Sequence, residues 1–202
     1  MSFFVNQRAL LAKKNHQVAS TFKISGQTQA IASYAQQRLW LHEQFSFRDS
    51  DLAMYNLIIP IIIKRGSLSI EHIRSALLSV LKQNTILRTA IRFNEESGQI
   101  DQYIQPLSEQ SYSFEHTNGV FTPEQLDHLL TAESITKHFN LDKGIVVRCH
   151  VVQRSDDTGG GLLKQNDTIV FAFHHIVFDN SSVTPFIEDF VKAYQHRESF
   201  FY

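Results

Sequence analysis

The sequence predicts an α/β fold, an α+β two-layer sandwich in which helices cover a mixed sheet. Two observations predict it: several segments repeat apolar residues at helical spacing, and several short runs are continuously apolar or alternate as strands do. With 202 residues, 43% of them hydrophobic, the chain is long enough for one sizeable core. The formal net charge of −1 gives no electrostatic reason to expect nucleic acid or an anionic membrane as a partner.

Four segments have the pattern of helices. Ser33 precedes the first, and Gln36 three residues later gives a capping-box signature. Ser69 is expected to cap the second, and Thr122-Pro123 begins the third. The predicted helices cover residues 33–45, about 69–81, 122–138 and 182–196.

The strands are predicted from shorter runs. Residues 55–64 are almost continuously apolar, which predicts burial on both faces of that strand. Residues 86–93 and 99–105 alternate on either side of a turn and predict a hairpin. Two further strands are predicted at 145–153 and 168–173.

The first 27 residues are predicted to form an N-terminal extension that is not part of the core. The extension has no acidic residue, and a targeting peptide would be richer in arginine and serine, so a tail or a partner-docking segment is favoured. Its basic residues are Arg8, Lys13, Lys14 and Lys23.

Cysteine content and hydropathy indicate where in the cell the protein is expected to be. The single Cys149 excludes an intrachain disulfide and fits a reducing, cytoplasmic location. The longest apolar run, Leu57–Ile63, contains Pro60 and has the length of a strand, so no membrane association is expected.

The most informative stretch follows the last predicted strand, where His174 and His175 precede Asp179 and Asn180. A strand end fixes the position of a side chain while the following turn opens it to substrate. Neighbouring strand residues point to opposite faces, so only one of the two histidines can face a given cleft. This argues against a metal site made from the pair and favours one chemical histidine with one supporting partner.

Three segments of the chain carry sequence motifs that occur in the same order in one protein family. Residues 33–41 (SYAQQRLWL) are similar to the first motif, Ser-x-Ala-Gln-x-Arg-Leu-Trp. Residues 82–90 (KQNTILRTA) resemble the second, Arg-His-x-x-Leu-Arg-Thr, although Gln83 and Asn84 replace its Arg-His. Residues 174–180 (HHIVFDN) resemble the third, His-His-x-x-x-Asp-Gly, with Asn180 in place of glycine. Together the three motifs resemble the condensation domains of nonribosomal peptide synthetases.

The resemblance implies a chloramphenicol acetyltransferase-like fold, with residues 28–202 as the N-terminal lobe and the second lobe missing from this sequence. It implies that His175 is the catalytic residue, which faces a tunnel between the lobes and contacts the attacking amine. The reaction implied is amide formation between acyl or peptidyl and aminoacyl thioesters, both tethered through phosphopantetheine to carrier proteins. No directly bound cofactor or metal is expected, and the implied partners are carrier proteins and a second lobe.

The resemblance also assigns supporting roles. His174 is expected to form hydrogen bonds inside the lobe, and Asp179 to form a salt bridge with Arg88 that shapes the turn. The alternative for Asp179 is a turn-initiating aspartate that bonds its own backbone. Asn180 tolerates a left-handed backbone better than other residues with a side chain, so the glycine turn is expected to survive.

Two other functions remain open. The chain could be a non-catalytic interaction module or relic, because half a tunnel lacks the walls that orient substrates. An exposed lobe interface, including Phe200-Phe201-Tyr202, would then form an apolar patch. An ester-forming acyltransferase that uses acyl-CoA is the other alternative, against which the first motif argues.

Other candidate sites are weaker. Cys149 and His150 are adjacent on a predicted strand and would point apart, and Ser181 and Ser182 lack the Gly-x-Ser-x-Gly elbow of a hydrolase. The glycines at 159–161 lack the spacing of a phosphate-binding loop. The remaining histidines lack metal-ligand spacing. They are His16, His42, His72, His116, His128, His138 and His196.

Overall fold

The computed structural model describes residues 26–119, 122–154 and 161–196, which form four α-helices, three short 3₁₀ helices and nine strands. The helices are α1 (Tyr34–Ser46), α2 (Ile70–Gln83), α3 (Pro123–Ile135) and α4 (Val183–Gln195). The strands are β1 (Gln29–Ile31), β2 (Asn56–Ile62), β3 (Leu68–Ser69), β4 (Thr89–Asn94), β5 (Gln99–Ile104), β6 (Ser113–Thr117), β7 (Val147–Val152), β8 (Leu162–Leu163) and β9 (Thr168–His174). The predicted mixture of helices and sheets is confirmed.

The largest sheet is four-stranded, in the order β2-β9-β7-β6. Strand β6 runs parallel to β7, and the other pairs are antiparallel, so the sheet is mixed as predicted. All residues of β7 and β9 are buried, because helices cover both faces of these two strands. The end of β9 therefore stands on the fully buried centre of this sheet.

The two faces of β9 differ in chemistry. Phe171 and Phe173 pack edge-on against Phe186 of α4, with ring centroids 5.1 and 4.8 Å apart, in an apolar layer. His174 lies on the opposite face, which α1 and α3 cover. The cross-strand register places Arg148 and His150 of β7 on that same polar face.

Helix α1 begins as the sequence predicts. The Ser33 hydroxyl accepts a hydrogen bond from the Gln36 amide, and the Gln36 side chain accepts one from the Ser33 amide, which is a complete capping box. Two of its apolar residues face outward, since Leu41 is 40% exposed and Phe45 is 84% exposed. The apolar pattern of α1 therefore does not by itself tell which of its apolar residues are buried.

The prediction that the strand at 55–64 is buried on both faces is wrong. Among the described strands, β2 lies at the edge of its sheet and pairs only with β9, and its residues are half-buried or exposed. Pro60 cannot donate a hydrogen bond to a neighbouring strand, which suits an edge position. The apolar run reflects contact with α3 and the sheet rather than complete enclosure.

The predicted hairpin forms, but it belongs to a separate sheet. Strands β4 and β5 pair antiparallel, and β1 adds to β5 to give the order β1-β5-β4. The sequence prediction missed four short strands, β1, β3, β6 and β8; β1 is exposed, and β6 is half-buried or exposed along its length. Such strands have little apolar patterning, and their partners are distant in sequence.

Some predicted features lie outside the described residues. They are nearly all of the extension at 1–27, the glycines at 159 and 160, and the aromatic end at 200–202. Within the described parts of the chain, none of the helices combines the length and the apolar character that a membrane span requires.

Candidate functional site

The turn after β9 is held by main-chain hydrogen bonds at both histidines. The His174 amide donates to the Val146 carbonyl at 3.0 Å, and the His175 amide donates to the Tyr55 carbonyl at 2.8 Å. His174 is buried at 2% exposure, whereas His175 is exposed. The structure thus separates the two side chains, one to the interior and one to the surface.

The hydrogen bond of the His175 ring defines its tautomer. Its Nδ1 atom lies 2.9 Å from the carbonyl oxygen of Phe178, and a carbonyl can only accept, so Nδ1 carries the proton in the neutral ring. The neutral ring then has a lone pair on Nε2. His175 is therefore ready to accept a proton or a hydrogen bond from a group outside the fold.

His174 has the opposite tautomer. The Ile176 amide donates to its Nδ1 atom at 3.1 Å, so Nε2 carries the proton and donates to the Glu43 carboxylate at 3.0 Å. Glu43 lies on α1, so this bond joins the end of β9 to that helix. Sequence reasoning missed Glu43, which stands ten residues after Ser33 in the first motif.

His175 lines an open groove of about 560 Å³ between the β9 turn and α1. Helix α1 contributes residues spaced at three, four and seven positions, which share one face of a helix. The lining residues are Ala35, Arg38, Leu39, His42, Tyr55, His175 and Asp179. His42 therefore belongs to the neighbourhood of the predicted site, although its sequence position gave no sign of it.

The prediction of a salt bridge between Asp179 and Arg88 is wrong, because the two side chains have separate partners. Asp179 is exposed, and its carboxylate accepts hydrogen bonds from the Ser181 hydroxyl at 2.7 Å and from the Ser182 amide and hydroxyl at 3.0 and 2.6 Å. The bonds from Ser182 and then Ser181 lower the pKa of this carboxyl below its usual value. The local alternative, an aspartate that bonds the turn it begins, is correct.

Arg88 is used elsewhere. Its guanidinium donates to the carbonyl oxygen of Leu81 at 3.1 Å and to that of Gln105, and so ties the second motif to α2 and β5. Asn180 does not adopt the expected left-handed backbone, because it begins a short 3₁₀ helix that leads into α4. Among the described residues other than glycine, only Asn166 has a positive φ.

A second cluster of ionisable groups is buried beside β7. The Glu133 carboxylate accepts from His150 Nδ1 at 2.6 Å and from two guanidinium nitrogens of Arg148, each at 2.9 Å. The His150 Nε2 atom lies 2.8 Å from the Thr117 hydroxyl, so both ring nitrogens have partners. Glu133, Arg148 and His150 are all less than 10% exposed.

The electrostatics of this cluster favour the charged carboxylate. Burial by itself raises the pKa of Glu133, but the hydrogen bonds from His150 and Arg148 outweigh it and lower this pKa to about 2. The sequence contained a signal, because Arg148 and His150 stand two apart in an otherwise apolar strand and must share a buried face. Glu133 supplies the charge that they require.

Cys149 and His150 lie on opposite faces of β7, as predicted. The thiol is fully buried, and burial raises its pKa well above the usual value. His150 is occupied by Glu133 on the other face, so the two residues do not form a catalytic dyad.

The sequence profile of the condensation-domain family matches residues 26–199, and the chain therefore belongs to that family. The match includes the capped helix α1, the turn after β9 and the groove between them. It begins close to the boundary that the sequence indicated at residue 28.

The chain is similar to parts of very large peptide synthetases. It is 26% identical to one of the linear gramicidin synthase subunits of Brevibacillus parabrevis over 176 residues, which are 86% of this chain and 3% of that protein. It is 29% identical to the phosphinothricin tripeptide synthetase PhsC of Streptomyces viridochromogenes over 161 residues, which are 75% of this chain and 13% of that protein. The chain thus spans only a small part of these relatives.

Solved structures share the fold. The starter condensation domain of the rhizomide synthetase RzmA superposes with a TM-score of 0.63 at 16% identity, over 83% of this chain and 39% of that one. The epimerization domain from the third module of tyrocidine synthetase B gives a TM-score of 0.59 at 17% identity, over 82% of this chain and 35% of that one. The chain spans well under half of each.

Proposed function

We propose that this chain is the N-terminal lobe of a condensation domain that forms amide bonds between two carrier-tethered thioesters. The donor is an acyl or peptidyl thioester, and the acceptor is the amino group of an aminoacyl thioester. The proposal depends on one observation, the hydrogen bond from Nδ1–H of the His175 ring to the Phe178 carbonyl. This bond leaves Nε2 as an acceptor, and the exposed ring lines the groove. The family membership and the peptide synthetases among the relatives support this reaction.

The chemistry requires little of the protein. The free amine is nucleophilic near neutral pH, since the pKa of an α-amino group is about 8. Its nitrogen attacks the thioester carbon, the N–C bond forms, and the tetrahedral intermediate collapses as the C–S bond breaks. His175 Nε2 orients the amine, takes the proton that nitrogen must lose, and returns it to the leaving thiolate.

A second lobe is part of the proposal, in the same polypeptide or from a partner. The chain covers 39% of the RzmA domain, and the groove at His175 is open to solvent. Helix α1 next to the groove exposes Tyr34, Leu41 and Phe45, which lie on one helix face, and Tyr34 is 91% exposed. We propose that the second lobe covers this apolar face and closes the groove.

Phosphopantetheine enters this scheme as part of the substrates, delivered by carrier proteins that bind near the groove. We propose no cofactor bound directly by this chain. A cytoplasmic location belongs to the same proposal, supported by the single reduced cysteine, Cys149.

The test uses the natural polypeptide that contains this chain. Acyl-pantetheine or acyl-carrier donors are mixed with aminoacyl-pantetheine acceptors, and the amide product is quantified by mass spectrometry. Since C8-CoA is bound by a mutant of the RzmA starter domain, an acyl-CoA donor is included in the series, with an alcohol acceptor in a parallel reaction. His175→Ala is expected to lower the rate by about 100-fold or more, the contribution of a positioned acid–base group.

The matched control is His128→Ala, because His128 is an exposed histidine on α3. It should leave the rate unchanged. Product from acyl-CoA and an alcohol alone would support the ester-forming alternative. Absence of any product, with carrier binding retained, would support the non-catalytic module and overturn the proposed reaction.

A further inference from the structure

We infer that Tyr55 and His42 form a second polar pair in the His175 groove, in which the Tyr55 hydroxyl donates a hydrogen bond to the carbonyl oxygen of the bound thioester. His42 holds that hydroxyl in place. This inference rests on the proposed acyl-transfer function. Tyr55 is a catalytic residue in it, because its hydroxyl touches the substrate, and His42 is a positioning residue that acts through Tyr55.

Hydrogen bonds hold Tyr55 at its side chain and at its backbone. Its hydroxyl oxygen lies 2.7 Å from Nδ1 of His42, and its backbone carbonyl accepts the His175 amide at 2.8 Å. The Tyr55 ring also contacts both His42 and His174, with centroids 5.8 and 6.0 Å apart. The hydroxyl is thus positioned relative to the catalytic histidine through a short series of direct contacts.

Helix α1 brings His42 to the groove through its periodicity. His42 lies seven residues after Ala35, on the same helix face, and both residues line the groove with Tyr55 and His175. A bond that served only to attach α1 to the segment just before β2 would require no access to the groove. Here both partners are accessible, since His42 is exposed and Tyr55 is half-buried.

His175 and the pair of His42 with Tyr55 offer a substrate an acceptor and a donor, respectively. The Nε2 atom of His175 is an acceptor, which suits an amine that must lose a proton. When Nδ1–H of His42 donates to the Tyr55 oxygen, the Tyr55 hydroxyl is left to donate outward, which suits a carbonyl oxygen that gains negative charge. Consecutive hydrogen bonds of this kind strengthen one another.

The kinetic test compares variants in the natural polypeptide. Tyr55→Phe removes one oxygen atom and keeps the ring, and it is expected to lower kcat by about 10- to 100-fold. His42→Leu should give a smaller loss, and His42→Asn should recover most of it, because an amide can still donate to the Tyr55 oxygen. In the Tyr55→Phe background His42→Leu should cost nothing more, since the two residues act as one unit.

A purely structural role makes different predictions. It would lower the thermal unfolding midpoint with little effect on kcat, whereas we expect Tyr55→Phe to shift the midpoint by less than about 3 °C. Normal kcat in Tyr55→Phe, together with an inactive His175→Ala, would overturn this inference and leave the proposed function intact.

A binding measurement separates the two proposals when no turnover is seen. The probe is an acyl-pantetheine analogue in which a methylene group replaces the thioester sulfur and the carbonyl carries carbon-13. Its carbonyl resonance should move downfield on binding to wild type and to His175→Ala, and the displacement should vanish in Tyr55→Phe. An equal displacement in wild type and Tyr55→Phe, or no binding to wild type, would overturn the inference.

Discussion

The groove at His175 and the buried cluster at Glu133 are built from similar residue types, but their side chains differ in how many hydrogen-bond partners they have inside the protein. In the cluster, both nitrogens of His150 and both carboxylate oxygens of Glu133 have partners inside the protein. In the groove, His175 uses one ring nitrogen for the Phe178 carbonyl and lies exposed. Only the groove has hydrogen-bonding capacity left for a substrate.

This difference separates structural from chemical histidines better than their sequence positions do. A buried charge must be paired, and the pairing consumes the groups that could react. A catalytic group needs one bond that fixes its tautomer and one free atom that reaches the substrate. His174 belongs with the structural group, since Glu43 and the Ile176 amide occupy both of its nitrogens.

The largest effect is expected when the cluster loses its charge. Glu133→Gln removes the buried carboxylate that pairs with Arg148 and His150 and leaves Arg148 with only the longer ion pair to Glu115 at 3.9 Å, so it should lower the free energy of unfolding by about 3–5 kcal/mol. Urea denaturation at neutral pH measures it. Asp127→Asn, on the exposed side of the same helix, is the control and should change stability by less than about 0.5 kcal/mol. Equal stability of the two variants would contradict a structural role for the cluster.

The same carboxylate predicts a pH dependence. Its pKa in the folded protein is about 2, below the ordinary 4.5, so its stabilising effect is complete above about pH 4.5 and is lost as the pH falls towards 2. The pKa difference corresponds to about 3 kcal/mol. The free energies of unfolding of wild type and Glu133→Gln, measured by urea denaturation, should therefore converge as the pH is lowered over this range. A constant difference between them would show that the charge of Glu133 does not provide the stability.

An intermediate effect is expected at the bond between the groove and the core. Glu43→Ala leaves the Nε2–H of His174 without its acceptor and should cost about 1–3 kcal/mol. Glu43→Gln keeps an acceptor oxygen and should cost less than Glu43→Ala. Thermal unfolding measures both, with Glu188→Ala on the exposed face of α4 as the control. If Glu43→Ala is no less stable than the control, the bond does not hold the turn.

The smallest effect concerns the turn after His175. Asp179→Ala removes an exposed cap and should cost about 1 kcal/mol. Because Asp179 and Arg88 have separate partners, the effects of Asp179→Ala and Arg88→Ala should add within about 0.5 kcal/mol. A double-mutant cycle measures the coupling, and a coupling above about 1 kcal/mol would restore the salt bridge that the family resemblance implied.

Much of the fold could be predicted from local signals. The capping residues Ser33, Ser69 and Thr122 begin helices where expected, and the apolar run at 168–173 forms the central strand β9. The pairing of distant segments could not be predicted. Strand β6 pairs in parallel with β7, and β1 pairs with β5, which is about 70 residues away.

The candidate site shows the same division. Alternation along a strand correctly predicted that His174 and His175 face different environments. Glu43, His42 and Tyr55 were missed, because each reaches the histidine turn through a contact between elements. The error at Asp179 arose from choosing a distant partner where hydroxyl and amide donors two and three residues away satisfy the carboxylate.

The sequence by itself determined the helix caps, the central strand, the strand-end histidines and the family, since these depend on neighbouring residues and on ordered motifs. Tertiary structure alone decided which histidines keep a ring nitrogen without a partner, which charges are buried together and which residues share the groove. Those properties depend on distances between atoms far apart in the chain, and burial determines their energies.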